Sequence, residues 1–149
     1  MAAGCVCAVC TSDKRGVSKC DQGRGYLKEN FGLLEDAHAG PGERQVSILL
    51  EQHLEPVIGK LGCRPDPGSF AENLLVSGLP ESIIGEGALL RAGEAVIQIT
   101  GIGKDAAEGH SYSYEGFGLL AKRGLFGRVV KGGRVEVGDS VELIEGQFL

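Results

Sequence analysis

LLRAGEAVIQIT, residues 89–100, decides how the chain is read. A short apolar run meets Gly93-Glu94, and a second run of alternating character follows. Glycine supplies the positive φ that a two-residue loop demands, so this pair predicts a tight hairpin turn between two strands. The theme returns in GRVEVGDSVELI, residues 133–144, around Gly138-Asp139. There Val135, Val137, Val141 and Leu143 alternate with polar Arg134, Glu136, Glu142 and Glu145, the mark of strands that bury one face. The 25 glycines are scattered between short apolar runs and act as punctuation between strands. Several such strands predict a small barrel or strongly curved sheet, mostly β with a few helices, and not a doubly wound fold.

Working outward, Val6 to Cys10 reads as a buried strand that opens the domain. The segment SILLEQHLEPVIGKLG, residues 47–62, places Leu49, Leu50, Leu54, Val57, Ile58 and Leu61 at helical spacings. It predicts a helix with Ser47 as N-cap, Gly62 at the end, a kink or break at Pro56, and His53 on its polar side. A second helical piece is expected in SFAENLL (69–75), then connecting loops through residues 77–90. A strand is expected near Leu125 to Val130 after a turn-rich stretch.

At 149 residues the chain has the length of one domain able to bury its own core. A formal net charge of -5 argues against a nucleic-acid partner, which calls for a basic excess. No apolar run approaches the roughly 20 residues that span a bilayer, and the N-terminus lacks the basic region of a secretory signal. The expectation is a soluble cytoplasmic protein without a membrane partner. Its five cysteines are then reduced. Cys5, Cys7, Cys10 and Cys20 do not have zinc-ribbon spacing, and together with Cys63 they read as small buried hydrophobes.

The common catalytic motifs are missing. TGIGKDA (100–106) lacks the upstream glycine and following Ser/Thr of a phosphate-binding loop, and no nucleophile elbow, metalloprotease helix or dinucleotide fingerprint occurs. What remains are polar residues in turn-rich segments. Asp36 and His38 share a face if extended, beside Gly40 and Gly42, which leave room for a ligand to approach the backbone. Glu72 and Asn73 precede an apolar run, Lys104 stands between Gly103 and Asp105, and Arg128 and Lys131 follow Phe126. Taken by themselves, these residues also fit local turn bonds and solvated charges.

Four blocks, GLLEDAHAGPGERQVSILL, PGSFAENLLVSGL, LRAGEAVIQITGIGK and GLFGRVVKGGRVEVGD, together resemble the MOSC domain, named for the C-terminal domain of molybdenum cofactor sulfurase. The likeness is to small stand-alone bacterial members and covers roughly Val6 to Leu143. It implies a barrel-like fold and a pocket involving Asp36, His38, Arg44, Gln45, Glu72 and Asn73. Lys104, Arg128 and Lys131 would make that pocket suit an anion such as a phosphorylated pterin, molybdopterin, or an oxoanion. Implied partners are proteins of molybdenum cofactor biosynthesis or molybdoenzyme maturation. One departure matters: members usually carry a sulfur-bearing cysteine two residues after the lysine, and here that residue is Ala106. A second cysteine often seen nearby is replaced around His110, and Ala71 stands where the family commonly has Gly. The resemblance thus implies ligand binding and delivery. Sulfur carriage on a displaced Cys10 or Cys63, a part in an N-hydroxylated-base reductase system, and a non-catalytic interaction domain are the alternatives. The chain shows no pyridoxal phosphate domain of the larger sulfurases.

Overall fold

The computed structural model describes residues 3–103 and 113–144. In chain order these form β1 (Ala3–Thr11), β2 (Cys20–Asp21), β3 (Arg24–Lys28), β4 (Gly32–Leu33), β5 (Val46–Leu50), α1 (Glu55–Leu61) and β6 (Leu74–Ser77). There follow β7 (Leu89–Ala92), β8 (Ala95–Ile102), α2 (Leu119–Arg123), β9 (Leu125–Lys131), β10 (Gly133–Glu136) and β11 (Ser140–Ile144). Seven strands close a barrel in the order β1-β6-β5-β9-β8-β7-β11, and β11 pairs back onto β1 through Ala3↔Glu142 and Cys5↔Ser140. Closure leaves those strands no open edge. A small sheet, β10-β3-β4, lies apart from the barrel ladder. The mostly β, barrel-like expectation holds.

The hairpin read from Gly93-Glu94 is present: Ala92 faces Ala95 across a two-residue loop with Gly93 at φ 59°. The second reading needs correction. β10 and β11 do not pair; β10 joins β3, while β11 joins β7 and β1. The turn through Gly138 instead carries the chain from one sheet to the other and is pinned to β1, with Gly138 N donating to Val6 O and Val6 N to Asp139 O, each at 2.9 Å. Val137 therefore lies 45% exposed while Val135 and Val141 are buried.

Residues 47–50 are strand, not helix. All five residues of β5 are buried because both of its faces are covered. Ile48 and Leu50 point into the barrel cluster, and Leu49 packs in a second cluster with Leu54, Val57 and Phe70. A continuous apolar run of that kind satisfies a helical and a buried-strand pattern equally. Ser47 caps nothing; its N–H donates to Asn73 Oδ1 at 3.0 Å. After a 3-10 turn at Glu51–Leu54, α1 starts with Pro56 in its first turn, where no N–H is needed, and ends at Gly62 with φ 79°. Pro56 begins the helix and does not kink it. Parallel pairing of β5 with β6 requires a crossover, and α1 lies within it.

SFAENLL is not helical either. It runs through turns, with Ala71 N donating to Gly68 O at 2.9 Å, before entering β6. The carboxylate of Glu72 takes the Gly68 and Phe70 N–H groups at 2.8 and 3.1 Å, so a side chain satisfies this backbone. Ala71 has φ +68°, a left-handed conformation that costs an L-residue about 1–2 kcal/mol and glycine nothing. Of the cysteines only Cys10 is buried; Cys5, Cys20 and Cys63 are exposed, against the expectation that all five are core.

Candidate functional site

Where β1 finishes and β5 and β6 begin, loops and α2 enclose a chamber of about 230 Å³ whose wall includes Lys19, Ser47, Phe70, Asn73, Leu120 and Phe126. Beside it lies a more open hollow of about 610 Å³ against Gly40, Gly42, Glu43 and Thr100. Arg15, His38 and Arg44 line both and stand where the two join.

After β4 the stretch LEDAHAG, residues 34–40, is turned, not extended. Asp36 O accepts from Ala39 N at 3.1 Å and Asp36 Oδ2 from His38 N at 3.2 Å, a local side-chain turn. Asp36 consequently points inward and His38 to the exposed rim, and the two do not share a face. Asp36 Oδ1 accepts from Lys19 Nζ at 2.8 Å and from Ser12 N at 3.1 Å, while Lys19 Nζ also donates to Ser12 Oγ at 3.2 Å. The side chains of Lys19 and Asp36 are 4% and 0% exposed. This buried ion pair fastens both ends of the segment between β1 and β2 to the turn at residue 36. In the middle of that segment Arg15 Nε donates to Ala37 O at 3.4 Å.

Arg44 sets its guanidinium 5.4 Å from the Phe126 ring centre, a cation–π contact that holds the charge over the chamber wall. Gln45 does not reach the cleft. Its amide donates to Asn30 Oδ1 and Gly42 O, and its oxygen accepts from Val129 N at 3.0 Å, bracing the glycine loop against β9. Glu72 is likewise spent on backbone, and burial pushes its carboxyl above the usual range. Asn73 lines the chamber while joining three elements: it accepts from Ser47 N and donates to Cys10 O at 3.1 Å.

Two expected cations fall elsewhere. Arg128 follows Phe126 by two strand residues, about 7 Å, and donates to Gln98 Oε1 at 3.0 Å on β8. Lys131 is exposed at the end of the same strand, and neither residue lines the chamber or the hollow. Lys104, Ala106 and His110 lie outside the described residues. The sequence reading missed Arg15 and Lys19. Nothing in TSDKRGVSK separates Lys19 from Lys14, because its burial is made by a carboxylate 17 residues away.

Neither candidate thiol serves the cleft. Burial, followed by the nearby Glu72 charge, pushes the Cys10 thiol far up, which holds it protonated and unreactive. Cys63 is exposed but lines neither space. Among the described residues no three His, Cys, Asp or Glu side chains are grouped to hold a metal ion, and no helix is long and apolar enough to cross a membrane. His53 is mostly buried, 3.4 Å from Glu81, and burial lowers its pKa.

Fold and cleft together define a small closed β-barrel with a cation-rimmed pocket at one end. The MOSC domain family model matches residues 35–103 of the chain. Among solved structures it is similar to the YuaD protein of Bacillus subtilis, with TM-score 0.73, 18% identity and 97% of each chain covered. YiiM of Escherichia coli gives TM-score 0.65 at 21% identity, over 97% of this chain and 71% of that one. YiiM of Geobacillus stearothermophilus gives 0.64 at 17%, over 95% and 73%. At such identities these likenesses bear on the fold. No curated protein matches the chain by sequence.

Proposed function

We propose that the cleft binds an anionic ligand of the molybdopterin kind and holds it for a partner in cofactor maturation. The observation that carries this reading is the meeting of Arg15, His38 and Arg44 at the junction of an open hollow and a chamber partly walled by Phe70, Leu120 and Phe126. Guanidinium groups pair with phosphate oxygens in a fixed fork, and aromatic and aliphatic walls suit a flat ring. The donor set fits such a group: Arg15, His38 and Arg44 would hold its phosphate. Glu43 is the one acidic residue lining the hollow among the described residues. When bound, molybdopterin supplies the dithiolene sulfurs that ligate molybdenum, and the chain's own residues bind and orient it. Ala106 in the position of the family's usual cysteine, together with a buried Cys10, favours binding and delivery over sulfur carriage.

Native and denatured masses of protein purified anaerobically from a host that makes the cofactor test this directly. A pterin-mass ligand lost on denaturation is expected. A covalent gain of one sulfur would move the reading to carriage on an exposed cysteine. At a ligand concentration 100 times Kd the complex should be stabilised by about 2.7 kcal/mol, and Arg44→Glu should abolish that gain while leaving the ligand-free protein folded. Normal binding by Arg44→Glu would overturn the site.

A further inference from the structure

The chamber and the hollow differ in what they offer a ligand. An ammonium group has three N–H donors. Lys19 spends one on Asp36 Oδ1 and one on Ser12 Oγ, and the third has no acceptor among the described residues, although the side chain is 4% exposed and lines the chamber. Asp36 at 2.8 Å neutralises the charge locally, and buried Glu72 also feels it. Lys19 thus presents a fixed hydrogen-bond donor in nearly neutral surroundings. The other polar walls are committed: Ser47 Oγ accepts from Asn73 N at 3.0 Å, and Asn73 is bonded to Ser47 and Cys10. Val46, Phe70 and Leu120 complete an apolar lining. Arg15, His38 and Arg44 stand at the junction with the hollow.

On the reading that the cleft takes a pterin-type ligand, the geometry points to Lys19 as the residue that selects the ligand's inner end. An uncharged heteroaromatic ring bearing a carbonyl oxygen enters the chamber first and accepts the spare Lys19 N–H. The anionic group stays outside on Arg15, His38 and Arg44.

Two probes separate the halves: 6-hydroxymethylpterin, which is uncharged, and inorganic phosphate. The chain has no tryptophan, so pterin fluorescence anisotropy reads binding cleanly. The double variant Lys19→Met with Asp36→Asn removes the pair without stranding a charge. It should bind 6-hydroxymethylpterin about tenfold more weakly and phosphate as the wild type does. In wild-type protein labelled with 15N-lysine, the Lys19 ammonium signal should move on adding 6-hydroxymethylpterin and stay on adding phosphate, a readout that does not depend on the variant folding. Unchanged pterin affinity in the variant, or a Lys19 signal that answers phosphate instead, overturns the assignment while leaving an anion site standing. If the wild type binds neither probe, the ligand reading itself falls.

Discussion

The barrel wall and the cleft wall are held by different forces. In the barrel, Ile48, Leu50, Ile97 and Val129 fill an apolar interior, and backbone ladders run from β1 round to β11 with register shifts in the β1–β6 and β8–β9 pairings. In the cleft, buried polar side chains do the joining. Asp36 ties two loops, Gln45 ties a glycine loop to β9, Glu72 folds its own turn, and Asn73 links β5, β6 and β1. Strain collects on the same side, with Glu35 and Ala71 at positive φ. The barrel answers to volume; the cleft answers to charge and hydrogen bonding.

The sharpest way to break this contrast is Asp36→Ala, which leaves Lys19 buried without its counter-charge. It should cost about 3–5 kcal/mol in urea denaturation. Leu50→Ala, deep in the barrel, should cost about 2–5 kcal/mol by leaving a cavity, and that loss should be the same at every pH. A pH-dependent Leu50→Ala penalty would erase the distinction.

Glu72 tests the charge side alone. Its folded carboxyl is raised above the ordinary 4.5, so the native state keeps a proton that the unfolded chain gives up. The resulting stability is fully present below about 4.5 and is lost as pH rises through the folded value. Glu72→Gln should flatten that slope in urea midpoints taken from acid to neutral pH. The smallest effect is expected from Ala71→Gly, which should add about 0.5–1 kcal/mol by relieving the left-handed backbone, less the entropy glycine costs. A loss of stability there would show that the methyl group packs more usefully than the strain suggests.

Much of the barrel was legible in the sequence because one-faced strands leave a period of two, and Gly93-Glu94 can do little but turn. β5 was not legible, since a strand buried on both faces has no period to read. The Gly138 turn misled for a related reason: local alternation is correct in β10 and β11 but says nothing about which strand each will pair with. In the cleft, the family blocks led to Asp36, His38, Arg44 and Asn73. The structure gives Asp36 a bracing role and puts Arg15 and Lys19 at the wall. A lysine's burial depends on a distant carboxylate, and no local pattern carries that information.

The last barrel seam, Ala3 against Glu142, joins residues from nearly opposite ends of the chain. β1 leaves the ribosome before β11, so one side of β1 stays unpaired while the strands between them are made. Until then the nascent chain is an open, adhesive sheet, and the interval between the first and last strands leaving the ribosome sets how long it needs shelter from its neighbours.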